Sequence, residues 1–298
     1  MKQLGAWCLI ILGMMFFVPM LTVYGGGFYD ASLLQQVQGT GVDKSQEESK
    51  EDEEELISAL AKVISPQEDI EVIKAHAVML RTYRLRRTLG LVKEGTLTYM
   101  SKEEMQNLWQ KNFEKNYTIF QNAVRSTSGE VIYYENELIE PIYHKESGGV
   151  TRDAMAIYKV DIPYLQPVVS KGDQVEETII LPKEEFVLAL QDVYPKLLIH
   201  TAILEQQIQI IDKDKSQYIT SLQIGNTIMD GESFRKIFNL PSTCFTMSHD
   251  DNNIIFQIKG VGHGIGLSQN GANVMAKEGS DYKEILQYYY TGVEIKNK

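Results

Sequence analysis

Two stretches of this sequence put chemically able side chains on backbone that must be unusual. The first runs Tyr143-His144-Lys145-Glu146-Ser147-Gly148-Gly149-Val150-Thr151. The second runs Gly260-Val261-Gly262-His263-Gly264-Ile265-Gly266-Leu267-Ser268-Gln269-Asn270-Gly271-Ala272. So dense a set of glycines does not suit a regular strand, so the backbone here should adopt special dihedrals or lie close to a ligand. His144, Ser147, His263, Ser268 and Gln269 supply imidazole, hydroxyl and amide groups that bond a polar ligand from a groove of small residues, Gly148 and Gly149 among them. Glu146 sits between His144 and Ser147, and a carboxylate close to an imidazole can acquire the shifted pKa that acid/base work demands.

Other chemistries are set aside. No Gly-Lys-Ser/Thr occurs, and the glycine run does not lead from a strand into a helix at dinucleotide spacing, so it is not a phosphate cradle. The 5 histidines are scattered and no His-Glu-x-x-His or Cys-x-x-Cys spacing is present, so neither a metal nor any other cofactor is expected. Net charge is −11, and the only basic cluster is the short Arg84–Arg87 stretch, which argues against a nucleic-acid partner. Of 2 cysteines, Cys8 lies in the apolar N-terminal stretch, which leaves Cys244 without a disulfide mate in the body.

The elements that must position these groups follow from pattern. Leu4 to Tyr24 is a charge-free apolar run of bilayer length, preceded by Lys2 and followed by an acidic segment, Glu47 to Glu55. Residues 1–24 therefore read as a membrane anchor or an export signal, with the body outside the cytoplasm, and the lack of a small-x-small cleavage site after the run favours an anchor over a cleaved signal. Residues 25–53 then read as a flexible acidic tether, and 54–298 as one mixed α+β body of short helices and strands. Ser65-Pro66-Gln67-Glu68 has the form of a capping box, and Ile70, Ile73, Ala77 and Leu80 recur at helical spacing up to a stop at Gly90. A second helix is expected over Ser101–Glu114, with short strands from Thr118 to Tyr134. Gln207–Ile211, Tyr218–Gly225 and Ile254–Ile258 read as strands, and Gly231–Phe238 and Ser280–Tyr289 as short helices. His76, at helical spacing, reads as a core residue.

The glycine-rich run, continued by Met275-Ala276-x-x-Gly279 and Ile285-Leu286-x-x-Tyr289-Tyr290-x-Gly292, resembles the C-terminal signature of the SpoIID/LytB family. Three more blocks match in order: Glu71 to Val78 with Arg81-Thr82-Tyr83; Tyr143-His144-x-x-Ser147-Gly148-Gly149-x-Thr151; and Tyr164-Leu165-x-Pro167-Val168. The resemblance implies an extracytoplasmic protein acting on peptidoglycan. Sporulation members of the family are lytic transglycosylases that cleave the MurNAc-GlcNAc bond during engulfment, and LytB members enhance an amidase. It also implies glycan strands as a partner, with other wall hydrolases or sporulation membrane proteins beside them.

In such a transglycosylase one carboxylic acid protonates the glycosidic oxygen and then takes a proton as the sugar's own hydroxyl closes an anhydro ring. The family carries that acid in a Glu-Met-Pro element just before the helix. Anchored on Pro66, its place falls to Ile64; counted back from Lys74, it falls to Val63. Neither can move a proton. Two functions therefore stand side by side: strand cleavage with a substitute acid, for which Glu146 is the candidate, or glycan binding that recruits or stimulates another wall enzyme.

Overall fold

A computed structural model describes residues 49–92, 97–173 and 176–298. Among the described residues no helix is long and apolar enough to cross a membrane. The expected anchor and all of the tether up to residue 48 lie outside them. Where one mixed body was expected, contacts divide the chain into two units, one up to Val131 with Lys296–Lys298, the other Ile132–Ile295. Helices come first, and short strands interspersed with helices follow, an α+β architecture.

The first unit is helical. Ser49 and Asp52 form a reciprocal capping box, so helix α1 (Lys50–Val63) begins inside the segment expected to be tether. The Ser65 box does not form: Ser65 accepts instead from Gln67 and Glu68 in a tight turn. Asp69 takes over as N-cap, accepting from the Glu71 amide, and α2 (Ile70–Thr88) starts there. It ends where expected, at Gly90, which has φ +73°. Helix α3 (Lys102–Trp109) is capped by Ser101, and α4 spans Phe113–Ser126. This last helix replaces the first part of the strands expected from Thr118 to Tyr134, while Glu130–Tyr134 is a strand as expected. Phe113, Asn116, Phe120, Ala123 and Val124 bury one face at three- and four-residue spacing, a helical period that outweighs the local β propensity. His76 is fully buried in α2 and its Nδ1 bonds the Val72 carbonyl; burial pushes its pKa down to about 4.

The second unit carries both motif blocks. Strands β1 (Glu130–Tyr134) and β2 (Glu137–Leu138) form a hairpin with Tyr133 opposite Leu138. Strand β3 (Tyr143–His144) opens the first block, and α5 (Ala154–Tyr158) follows it. Residues 176–259 then form an inserted segment with two antiparallel three-stranded sheets. In one, β4 (Glu176–Pro182) pairs with β9 (Asn253–Lys259), which pairs with β8 (Phe245–His249). In the other, β5 (Ile208–Lys213), β6 (Ile219–Ile224) and β7 (Thr227–Asp230) lie in sequence order. Helices α6 (Lys183–Val193) and α7 (Gly231–Ile237) belong to the same segment. Its core holds Phe186, Phe234, Phe245 and Phe256, all nearly or fully buried, with Phe186 stacked on Phe238 at 4.6 Å. The chain returns through β10 (Leu267–Ser268), α8 (Gln269–Lys277) and α9 (Tyr282–Tyr289). The pairing of β4 with β9 brings the two ends of the inserted segment together, which delivers the second block back to the first.

Candidate functional site

The two blocks, more than a hundred residues apart in sequence, meet strand to strand. β3 and β10 pair in parallel, Tyr143 opposite Leu267 and His144 opposite Ser268. Further along, Glu146 and Val261 exchange both backbone bonds, at 3.0 and 2.7 Å. Arg152 bridges to Ile265, and its N–H donates to the Gly264 carbonyl at 2.7 Å.

That ladder explains the glycines. Gly264 and Gly266 have φ of +81° and +72°. A Cβ on Gly264 would fall 2.6 Å from the Tyr218 hydroxyl, and one on Gly266 2.0 Å from the Ile142 carbonyl oxygen. The space that was expected to admit a ligand is filled at these positions by the protein itself. Here glycine serves close approach of chain to chain.

Two histidines bond the backbone of one residue. The Ile265 carbonyl accepts from His144 Nδ1 at 3.0 Å, and the Ile265 N–H donates to His263 Nδ1 at 3.1 Å. A carbonyl only accepts and an amide N–H only donates, so the proton of neutral His144 sits on Nδ1 and that of His263 on Nε2. The rings lie 5.7 Å apart. Burial pushes the pKa of His144 down to about 4, with the Ile265 carbonyl and the Asp173 charge opposing. His263 is pushed down to about 3 by desolvation, then by His144, Arg152 and Arg235, with a hydrogen bond to the Tyr143 backbone opposing. Both are neutral near pH 7. His144 is 4% exposed and its Nε2 is buried with no hydrogen-bond partner among the described residues. His263 is partly exposed, whereas His144 is not.

The remaining expected site residues separate by exposure. Ser147 and Ser268 are fully buried and bond backbone rather than facing outward. Ser147 Oγ accepts from the Gly149 N–H at 3.1 Å, while Ser268 caps α8 by accepting from the Gly271 N–H at 3.2 Å. Gly148 and Gly149 are partly exposed, the Gly148 N–H donating to the Tyr218 hydroxyl at 2.7 Å. Gln269, the first residue of α8, is also partly exposed. Glu146 is only 8% exposed, because the bridge to Val261 draws it into the ladder. In the helical unit, Ile64 caps the C-terminus of α1 at 7% exposure, and Val63 beside it is partly buried. Among the described residues no three His, Cys, Asp or Glu side chains gather as a metal site.

Sequence reasoning missed the groups that hold this ladder. Asp173, 1% exposed, accepts from the Ser147 N–H at 2.9 Å and from Asn270 Nδ2 at 3.1 Å, joining the two blocks with one carboxylate. Arg152, 2% exposed, pairs with Asp214 at 2.5 Å and Glu232 at 3.4 Å and stacks over Tyr218 at 4.5 Å. Arg152 directly follows the first block, but neither it nor Asp173, Asp214 and Tyr218 carried a signal of this role in the sequence.

The assembly is a mixed α+β unit in which a glycine-rich loop and a His-Ser-Gly block are zipped together around two neutral histidines. Residues 46–134 match the SpoIID family, described as stage II sporulation protein. The chain is 29% identical over 255 residues to stage II sporulation protein D of Bacillus amyloliquefaciens, covering 82% of this chain and 73% of that one. It is equally 29% identical to stage II sporulation protein D of Bacillus subtilis, over 82% and 74% of the two chains. The amidase enhancer of Bacillus subtilis is 26% identical over 76% of this chain and 38% of its own length. The chain is thus similar to the SpoIID family, through the family model over residues 46–134 and through these relatives over most of its length.

Proposed function

We propose that this protein binds peptidoglycan glycan strands at the outward face of the two zipped blocks and serves another wall hydrolase, without cleaving the strand itself. The observation that carries this reading is the residue in the acid's place. Where the family keeps a glutamate stand Ile64 and Val63, the first buried at the C-terminal end of α1. Neither histidine of the ladder replaces it as an acid, since a group with a pKa of about 4 or 3 holds no proton to give near pH 7. Partly exposed His263, Gly148, Gly149 and Gln269 remain to bond a sugar's hydroxyl and acetamido groups. The two kinds of relative, a sporulation protein and an amidase enhancer, support a partner role beside a hydrolase. On this reading residues 1–24 hold the protein at the membrane, with its body on the peptidoglycan side.

A second reading, cleavage with Glu146 as the acid, is favoured by the place of that buried side chain between His144 and Ser147 in the first block. One experiment separates the two. The full-length protein is mixed with purified glycan strands; co-sedimentation reads binding, and mass spectrometry reads anhydro-muropeptides. Retention without anhydro products, weakened about tenfold by His263→Ala, is the expected result. Anhydro products abolished by Glu146→Gln would establish the second reading instead. Products that survive Glu146→Gln would overturn both assignments.

A further inference from the structure

Arg152 joins the second block to the inserted segment. Its backbone N–H holds the Gly264 carbonyl at 2.7 Å, and its Nη1 donates to the His263 carbonyl at 3.2 Å. The guanidinium is in turn fixed from the other side: Nε on Asp214 at 2.5 Å, Nη1 on Glu232 at 3.4 Å, and the Tyr218 ring 4.5 Å beneath. All three of those residues lie within the inserted segment. The same loop grips the first block, for Ser216 Oγ donates to the Thr151 carbonyl at 2.7 Å and the Tyr218 hydroxyl accepts from the Gly148 N–H at 2.7 Å. Asp214 keeps this loop in shape by accepting from the amides of Ser216 and Tyr218, each at 3.0 Å.

A buried guanidinium needs this number of acceptors to be held in place, and its fork then allows little movement of any group it bonds. His263, by contrast, sits between two glycines, where the chain itself resists displacement least. We propose that Arg152 is a positioning residue for His263: clamped by Asp214 and Glu232, it sets the place of the His263 backbone and so the affinity for glycan. This rests on the glycan-binding reading above, and it makes the inserted segment a working part of the site. The segment's acids act on the ligand only through Arg152 and His263.

The test is Arg152→Met combined with Asp214→Asn in the full-length protein. The pair removes both charges together, which a protein interior tolerates far better than removal of one. Asparagine keeps the oxygen that accepts from Ser216 and Tyr218. With 5 histidines in the chain, selective nitrogen-15 labelling of histidine, assigned with His263→Ala, resolves the His263 ring by NMR. In the wild type that ring is expected as the neutral tautomer protonated on Nε2. In the folded double variant it becomes a mixture of tautomers, and glycan binding weakens about tenfold with no further loss when His263→Ala is added. An unchanged His263 signal in the double variant overturns the proposal, and so do losses that simply add, since a merely structural Arg152 would act independently of the imidazole. Should the double variant unfold, Arg152→Lys, which keeps the buried charge without the fork, is read by the same two measures. If wild-type protein is not retained by glycan strands, the glycan-binding reading falls, and the His263 signal alone then decides whether Arg152 positions that residue.

Discussion

Gly266→Ala tests whether the glycine-rich run serves the protein or a ligand. At φ +72° the left-handed backbone costs an alanine about 1 kcal/mol. Its Cβ would also lie 2.0 Å from the Ile142 carbonyl oxygen, which accepts from the Leu267 N–H at 3.1 Å and from the Tyr290 hydroxyl at 2.7 Å. Relief requires that oxygen to retreat by more than the two bonds can follow, at about 1 kcal/mol for each. The total is about 3 kcal/mol. Gly90→Ala is the matched control, because Gly90 has φ +73° and an added Cβ there would meet nothing within 4 Å, so only the backbone cost of about 1 kcal/mol applies. Native-state hydrogen exchange reads each variant from the slowest amides of the unit that carries it. A loss for Gly266→Ala no larger than that for Gly90→Ala would refute the reasoning. So would a variant of unchanged stability that no longer binds glycan, since the glycine would then be facing a ligand.

His76 gives the helical unit a pH dependence. Its imidazole protonates near 6.5 in the unfolded chain but only near 4 when folded, so the unfolded state binds more protons in between. Stability is therefore complete above the unfolded value and falls as pH drops from there toward 4, by about 3 kcal/mol at most; urea unfolding across that range should show the slope, and His76→Gln should flatten it. Ile64→Glu places a carboxyl at a site 7% exposed and should cost about 2–4 kcal/mol, whereas Val63→Glu, at a partly exposed position, should cost under about 1 kcal/mol. Thermal unfolding measures both, and equal losses would show that α1 does not end as described. If only the acid is missing, Val63→Glu or Ile64→Glu should yield anhydro-muropeptides where the wild type yields none.

Local order was legible because its causes lie within a few residues of their effects. The stop at Gly90 and the strands around Ile208, Ile219 and Ile254 follow from glycine geometry and β-branched runs, and the structure has them within a residue or two. Where two local signals competed, the sequence alone did not arbitrate. Asp69 displaced Ser65 as the cap, and the buried face of Phe113, Phe120 and Val124 overrode the strand reading, because burial depends on what a helix packs against. The two chemical blocks were also visible as residues, together with the family they resemble. Only the tertiary structure decided which of their groups face outward. In the folded chain the hydroxyls of Ser147 and Ser268 are buried and the glycine positions are filled by Ile142 and Tyr218, while His263 stays partly exposed. The groups that fix the arrangement, Asp173, Asp214 and Arg152, are ordinary charged residues in sequence. Their role arises from burial beside partners up to about a hundred residues away, and that proximity is a property of the folded chain alone.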